Sequence, residues 1–196
     1  MKARQAVLGG ARAFREHDQG FAVAQHVGGA IEHVEAFVVG DVAGVADRPA
    51  PAQILDLAPV VEITRETVRA AGLADRVSAK VADYRQDGFG EAADALLFSN
   101  VLHQESAQVC RSMLDRARQA LRPGGVLLVQ GYFLAEDRRA PLFTTLHNLS
   151  ALALWDGGRS WTVGDMQARI AGAGFERQAV LRQESSGFCL LSAVKV

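Results

Sequence analysis

Short apolar runs alternate with helical segments from residue 53 onward, and this alternation constrains the fold more than any other feature of the chain. The runs 93–99 and 126–129 are mostly apolar, as is typical of strands buried on both faces. Residues 105–121, which separate them, carry apolar side chains at helical spacing. Because parallel neighbouring strands need a crossover between them, the pattern predicts an α/β fold with a mostly parallel sheet covered on both faces.

Turn-forming residues set the limits of each element. We predict strands over residues 53–57, 76–82, 93–99 and 126–129. We predict helices over residues 59–71, 105–121, 138–154 and 162–172. The last two apolar runs, 175–182 and 187–195, flank the polar sequence Gln183-Glu184-Ser185-Ser186, which predicts a closing antiparallel hairpin.

Residues 1–50 carry weaker signals than the rest of the chain. Two helical patterns fit them, about 3–17 and 20–36, and glycine pairs within these patterns lower the helix propensity. We therefore divide the chain into an atypical N-terminal segment, residues 1–50, and an α/β domain, residues 51–196.

The composition excludes several classes of function. With 196 residues and a formal net charge of −1, the chain lacks the basic surplus typical of nucleic-acid binding. It has no apolar run of membrane-spanning length and no secretory signal pattern, so we predict a cytoplasmic protein without membrane or nucleic-acid partners. Cys110 and Cys189 lie too far apart in sequence to indicate a disulfide framework or a zinc site. His17, His26 and His33 recur without metal-ligand spacing, so we expect no metal.

Polar side chains follow the predicted strands at their carboxyl ends, where parallel α/β sheets bind ligands. Asp56 ends one strand, Asp83 follows the next, and Asn100-Val101-Leu102-His103 follows the third. One carboxylate can accept hydrogen bonds from two ribose hydroxyls and the other from an adenine amino group, so the pair suits a nucleoside without phosphates. Capping of a helix or turn is the alternative role for each Asp.

Four stretches of the sequence together form a pattern that is more specific than any single glycine-rich motif. In chain order they read ILDLAPVVEITRETVRAAGLADRV, VADYRQDGFGEAADALLFSNVLH, ALRPGGVLLVQGYFLAEDR and GGRSWTVGDMQARIAGAGF. Over roughly residues 53–196 the chain thus resembles the S-adenosylmethionine-dependent O-methyltransferases of the caffeate and acetylserotonin type, in their bacterial form. The resemblance implies a Rossmann-like class I methyltransferase sheet, S-adenosyl-L-methionine as cofactor and a small-molecule acceptor.

The same resemblance implies roles for the residues at the strand ends. Asp56 would hold the ribose of the cofactor, with Leu57 next to it. Asp83 would hold the adenine amino group, with Tyr84 beside the ring. The remaining candidates for cofactor binding are Ser99 and Gly40.

His103 stands where the family carries its general base. Methyl transfer to an oxygen needs a base of near-neutral pKa that takes the hydroxyl proton, and histidine meets this requirement. A capping or core histidine is the alternative.

His147 and Asn148 lie on the predicted helix 138–154, at the level where relatives line the acceptor pocket. A solvent-facing or internally satisfied pair is the alternative. Four aromatic residues are further candidates for a wall against a planar acceptor, although core packing is the commoner role of such side chains. These four are Trp155, Trp161, Phe143 and Phe133.

Three positions that carry acids in relatives carry none here. Gln104 follows the histidine in place of Asp, Gly131 stands near the end of the next strand, and Ser160 replaces a Glu of plant relatives. A histidine base normally relies on an acceptor that fixes its tautomer. C- or N-methylation therefore stays open beside O-methylation.

The N-terminal part also departs from the family. Only Val38–Gly44 is a candidate for the glycine loop, and too few residues separate Gly44 from Gln53 for the usual helix, so the first βα unit is atypical. Residues 1–50 resemble neither the usual first strand and helix nor the dimerisation domain of full-length relatives. A truncated or frame-shifted gene would explain both departures, and a short variant with another cofactor loop is the competing explanation.

We therefore predict an S-adenosylmethionine-dependent O-methyltransferase that acts on a hydroxyl of a small aromatic or polyketide-like metabolite, and a homodimer is a further expectation. The alternative from another class is a degenerate relative that has lost catalysis.

Overall fold

A seven-stranded sheet with helices against it forms the part of the chain that the computed structural model describes, residues 36–39 and 51–196. The strands are β1 (Ala36–Val39), β2 (Ala52–Asp56), β3 (Val77–Val81), β4 (Ala93–Ser99), β5 (Leu121–Tyr132), β6 (Phe175–Gln183) and β7 (Phe188–Lys195). The helices are α1 (Ala58–Ala70), α2 (Ala107–Ala120), α3 (Leu142–Leu154) and α4 (Val163–Gly172).

The strand order is β3-β2-β1-β4-β5-β7-β6. The pairs β3–β2, β2–β1, β1–β4 and β4–β5 are parallel. Strand β7 pairs antiparallel with both β5 and β6. The predicted α/β class, the mostly parallel sheet and the closing antiparallel hairpin are confirmed.

Strand β1 was not expected from the sequence. Its residues Ala36 and Val39 pair with β2 on one side and β4 on the other. The predicted second helix is therefore wrong at residue 36, because the short apolar run AFVV forms an interior strand of the sheet between β2 and β4. The rest of the two N-terminal helical patterns, Gly40 and the connection through residue 50 lie outside the described residues, and the division at residue 50 stays a prediction.

The core lies on both faces of the central strands. Ile54, Leu96 and Leu127 are completely buried in β2, β4 and β5. Helix α2 packs against this surface through Met113 and Leu114, which are also completely buried. Continuous burial of this kind explains why the apolar runs predicted β2 and β4 well. Strand β5 is longer than the predicted 126–129: it begins at Leu121, the predicted end of the preceding helix, because Leu121 already pairs with Ala93 of β4, and it runs through Tyr132.

Helix α3 begins four residues later than predicted, at Leu142. Pro141 precedes it, and the residue before a proline is sterically disfavoured in helical conformation, so Ala140 cannot belong to the helix. One face of α3 contacts the domain through Thr144 and Ala151. The outer face is apolar and more than half exposed, through Leu142, Phe143, Leu146, Leu149, Leu152 and Leu154.

None of the helices in the described part of the chain is long and apolar enough to cross a bilayer.

The tip of the β6–β7 hairpin holds the start of α3. Thr144 Oγ1 donates a hydrogen bond to the Ser186 carbonyl at 2.9 Å, and the Phe133 amide donates to the Gly187 carbonyl at 2.8 Å. Gly187 has a φ of +92°, and a Cβ there would lie 2.7 Å from the Phe133 carbonyl oxygen and would also meet Thr144 Oγ1. The site therefore requires glycine for both its conformation and its space.

We predict that Gly187→Ala destabilises the protein more than Gly72→Ala. Both glycines have positive φ, but a Cβ at Gly72 meets nothing within 4 Å. The backbone strain alone should lower the free energy of unfolding of Gly72→Ala by about 1 kcal/mol. Overpacking should bring the loss in Gly187→Ala to about 2–4 kcal/mol, measured by urea denaturation. Equal losses would contradict the close packing of the hairpin against α3.

Candidate active site

His103 lies in a short 3-10 turn, Leu102–Gln104, directly after β4. Its carbonyl accepts a hydrogen bond from the Arg159 amide at 2.8 Å, and the neighbouring Leu102 carbonyl accepts one from Trp161 Nε1 at 3.2 Å. Both donors belong to the segment that follows α3, so this segment holds the His103 turn in place. Only 8% of His103 is exposed.

Two rings cover the imidazole of His103. The centroid of His147 lies 4.5 Å from that of His103 with the planes at 71°, and the centroid of Trp155 lies at 5.6 Å. Burial and, as a smaller effect, the proximity of a charged His147 lower the pKa of His103 to about 4. Burial also lowers the pKa of His147. Both imidazoles are therefore neutral at neutral pH and able to accept a proton.

His147 and Asn148 tie α3 to the segment that contacts the His103 turn. His147 Nδ1 lies 3.4 Å from Ser160 Oγ, and Asn148 Oδ1 accepts a hydrogen bond from the Ser160 amide at 2.7 Å. The structure thus brings His147 next to His103, and the contact of His147 with an acceptor stays a prediction. Asn148 instead uses its side-chain oxygen for an internal bond, which matches the alternative role for that residue.

The end of β5, where relatives carry an acid, is uncharged. Gln130 Nε2 donates to Ser99 Oγ at 2.6 Å, and both side chains are buried. Ser99, a predicted cofactor residue, is therefore bonded to the neighbouring strand, and its cofactor contact stays a prediction. Glu105 is buried two residues after His103, but its carboxylate pairs with Arg85 Nε at 2.9 Å.

Asp56 lies at the carboxyl end of β2, on the same edge of the sheet as the His103 turn. Its Oδ1 accepts a hydrogen bond from the Leu57 amide at 2.8 Å. No other hydrogen-bond partner of this carboxylate occurs within the described ranges. Burial raises the pKa of Asp56, while the bond from Leu57 lowers it. The Leu57 side chain is exposed. A half-buried carboxylate with a free oxygen is suited to a ligand that donates hydrogen bonds.

Asp83 caps its own turn. Its Oδ1 accepts from the Arg85 amide at 3.0 Å and its Oδ2 from Gln86 Nε2 at 2.6 Å. The bond from Gln86, then the bond from Arg85, lowers the pKa of Asp83. These contacts are those of the capping alternative, and the adenine contact of Asp83 stays a prediction.

Tyr84 is buried rather than open to a ligand ring, with 7% exposure. Burial and then the Glu105 carboxylate raise the pKa of its hydroxyl to about 12. The Asp56 carboxylate acts in the same direction, and Asp56 pairs with Val81 at the end of β3, three residues before Tyr84. The contact of Tyr84 with an adenine ring stays a prediction.

Asn100 is a candidate to which the sequence patterns assigned no role of its own. It adopts a φ of +53°, its amide donates to the Gln130 carbonyl at 3.0 Å, and its buried Oδ1 has no hydrogen-bond partner among the residues that the structure describes. Strained backbone and an unsatisfied buried acceptor are typical of ligand sites. The sequence signal that could have identified Asn100 is an Asn directly after a buried strand, because Asn adopts positive φ angles more readily than most other residues.

The predicted aromatic wall divides into two groups. Trp161 and Phe133 are buried, and Arg169 lies 4.0 Å above the Trp161 ring, so these two belong mainly to the core. Trp155 covers His103, and Phe143 stacks at 6.4 Å from His147.

A cavity of about 10 Å³ lies beside His103. His103, Gln130, Gly131, Tyr132 and Trp161 are among its lining residues. This volume holds roughly one water molecule. An aromatic acceptor therefore cannot occupy it unless side chains move aside.

The sequence model of the O-methyltransferase domain matches residues 25–176, which is more than half of the chain. The chain belongs to the O-methyltransferase domain family. The acetylserotonin O-methyltransferase of Gallus gallus is 31% identical over 129 residues, which cover 66% of this chain and 36% of that protein. The 3-hydroxy-5-methyl-1-naphthoate 3-O-methyltransferase of Streptomyces sahachiroi is 27% identical over 135 residues, covering 68% and 39% respectively.

The structure of human N-acetylserotonin methyltransferase in complex with SAM superimposes with a TM-score of 0.74 at 21% identity. The superposition covers 91% of this chain and 52% of the human one, and it supports the class I methyltransferase fold. This O-methyltransferase-family chain spans well under half the length of the two curated relatives, at 36% and 39%.

We predict a pH-dependent loss of stability from His103 in this O-methyltransferase-family chain. Its pKa of about 4 in the folded state lies below the ordinary value of 6.5, so the unfolded state binds the proton more tightly. The free energy of unfolding should therefore fall as the pH drops from about 6.5 towards 4. Between pH 7 and pH 5 the wild type should lose about 2 kcal/mol more than His103→Gln, in denaturant titrations at both pH values. Parallel losses in the two proteins would argue against a neutral, buried His103.

Proposed function

We propose that this domain transfers a methyl group from S-adenosyl-L-methionine to a hydroxyl of a small aromatic acceptor. The observation that carries the proposal is a neutral, buried His103 on the same sheet edge as the half-buried carboxylate of Asp56. The two curated relatives support the acceptor class, because their names specify O-methylation of acetylserotonin and of a hydroxynaphthoate.

The residues at this edge fit the cofactor. Asp56 offers a carboxylate oxygen without a partner in the described part of the chain, as a ribose diol requires. Asn100 Oδ1 is a buried acceptor without a donor, and a ligand donor would satisfy it. Asp83, Tyr84 and Ser99 remain the proposed neighbours of the adenosyl group, and Gly40 would complete the site from outside the described residues.

The protein would contribute two things to methyl transfer: alignment of the acceptor oxygen and removal of its proton. When bound, S-adenosyl-L-methionine supplies an electrophilic methyl group on a sulfonium, together with its own leaving group. The protein must align the acceptor oxygen and remove its proton. His103 would take this proton on a ring nitrogen as the oxygen–carbon bond forms. Because its pKa is low, His103 is fully neutral at working pH but is a weak base, so alignment would supply much of the rate.

The acceptor would approach His103 past the side chains that cover it. His147 and Trp155 lie on that side, and the cavity beside His103 has only the volume of about one water molecule. We propose that both rings line the acceptor site and that Trp155 shifts when the acceptor binds. A non-catalytic relative is the second candidate, and this small cavity is the observation in its favour. A homodimer and a cytoplasmic location stay predictions.

We predict that S-adenosylhomocysteine binds the wild type and binds Asp56→Asn at least tenfold more weakly. The substitution keeps the shape of the side chain but removes the charge that accepts the ribose hydroxyls. Isothermal titration calorimetry measures the affinity. Asp75→Asn is the matched control. Asp75 is exposed and lies before the start of β3, at the edge of the sheet opposite to the candidate site. A folded wild type that does not bind millimolar ligand would overturn the cofactor proposal and favour the non-catalytic relative.

We predict that His103→Gln lowers turnover by roughly 10²- to 10⁴-fold, the usual contribution of a general base. Methyl transfer to N-acetylserotonin and to hydroxynaphthoates would be followed by mass spectrometry of the products. The affinity for S-adenosylhomocysteine should stay within threefold of the wild type, because His103 does not hold the cofactor. Unchanged turnover in this variant would remove the base role from His103.

A further inference from the structure

The imidazole of His147 contacts that of His103, the candidate base, and the residues next to His103 in sequence offer it no free carboxylate. We propose that His147 is a positioning residue for His103: its neutral ring face stabilises the imidazolium that forms when His103 takes the acceptor's proton. This inference rests on the proposed function, because it assigns to His103 the role of base.

The two rings lie close enough for the π face of one to attract a charge on the other. Their centroids are 4.5 Å apart and their planes meet at 71°, an edge-to-face arrangement. In such a pair the edge of one ring meets the π face of the other. A cation within about 6 Å of an aromatic face is attracted to it, and the attraction grows when the site is desolvated. His103 is 8% exposed, so a positive charge on it would gain from this contact.

Neighbours on three elements fix the orientation of the His147 ring. Tyr132 on β5 lies at 5.8 Å and Phe143 on α3 stacks at 6.4 Å, with planes only 22° apart. Ser160 Oγ lies 3.4 Å from Nδ1. Ser160 is itself held by the bond from its amide to Asn148 Oδ1. The ring is therefore held in place before any acceptor binds.

The other polar groups near His103 do not supply the negative charge that a protonated histidine needs. Gln104 Nε2 donates to the Asn100 carbonyl at 3.4 Å, and Glu105 on the same turn is paired with Arg85. Arg159 approaches through its backbone amide, which donates to the carbonyl of His103. From α3 the titratable group that faces the ring is His147, and Trp155 beyond the end of α3 is uncharged.

The stabilisation depends on the charge state of His147. While His147 is neutral, its π face attracts the imidazolium of His103. Once protonated, His147 repels that imidazolium. Burial lowers the pKa of His147, so this ring is neutral at working pH. The pair therefore binds a first proton more readily than a second.

Two substitutions at His147 distinguish the electrostatic effect of its π face from the effect of its volume on packing. His147→Phe keeps a π face without a titrating nitrogen, and His147→Leu fills a similar space without a π face. We expect kcat to stay within threefold of the wild type in His147→Phe and to fall about tenfold in His147→Leu, the size of a desolvated cation–π contact. Ser150→Ala is the control on α3, because Ser150 is exposed and its hydroxyl donates a hydrogen bond to the Leu146 carbonyl of the same helix.

The pH profile gives a readout that packing would not change. Between pH 8 and pH 5 the wild type should lose rate as His147 protonates, whereas His147→Phe should lose less. If both variants instead raise the KM for the acceptor at unchanged kcat, His147 contributes to acceptor binding alone and the proposal is overturned. Equal kcat in His147→Phe and His147→Leu would overturn it as well.

A measurement without turnover distinguishes failure of this inference from failure of the proposed function. The ¹⁵N chemical shifts of His103, followed by NMR from pH 3 to pH 8, report its protonation directly. The apparent pKa of His103 should be higher in His147→Phe than in His147→Leu, because only the Phe face favours the charged form. Equal values would overturn the inference even in a protein that binds S-adenosylhomocysteine and is catalytically active.

Discussion

The parallel pairing of β4 with β1 and β5 is the constraint on which the candidate site depends. Backbone groups in a buried sheet must find partners on the neighbouring strands, so the strands end at levels set by their register. Ser99 pairs with Gln130 at the end of β4 and β5, and the Asn100 amide adds a bond to the Gln130 carbonyl. The chain can leave the sheet only after these bonds. The His103 turn therefore begins at the carboxyl edge of the sheet, the same edge at which β2 ends two strands away.

The segment after α3 provides the second constraint. A buried indole needs a hydrogen-bond acceptor, and Trp161 finds it in the Leu102 carbonyl. The Leu134 amide in turn donates to the Trp161 carbonyl at 2.9 Å. These bonds hold the segment between the end of β5 and the His103 turn. Because α3 leads directly into this segment, His147, about two helical turns before Trp155, comes to lie against His103.

A comparison of predicted and observed positions, residue by residue, shows which features local sequence patterns can predict. Asp56 was identifiable because an acid ended an apolar run, and its place at the sheet edge follows from parallel pairing. Asp83 had two local roles open to it, and its bonds to Arg85 and Gln86 are those of the turn. Strand β1 escaped prediction because four residues carry little pattern, and its place depends on two strands that follow it much later in the chain.

The sequence by itself determined the α/β alternation, the carboxyl-edge location of Asp56 and His103, and the membership of the family. These features depend on side-chain periodicity and strand ends, which are local properties of the chain. Only the tertiary structure decided that His103 is covered by His147 and Trp155, that its pKa falls to about 4, and that Ser160 contacts a second imidazole. Burial and ring contacts of this kind join residues far apart in sequence. They are set by how α3 packs over the end of the sheet, which no periodic pattern specifies.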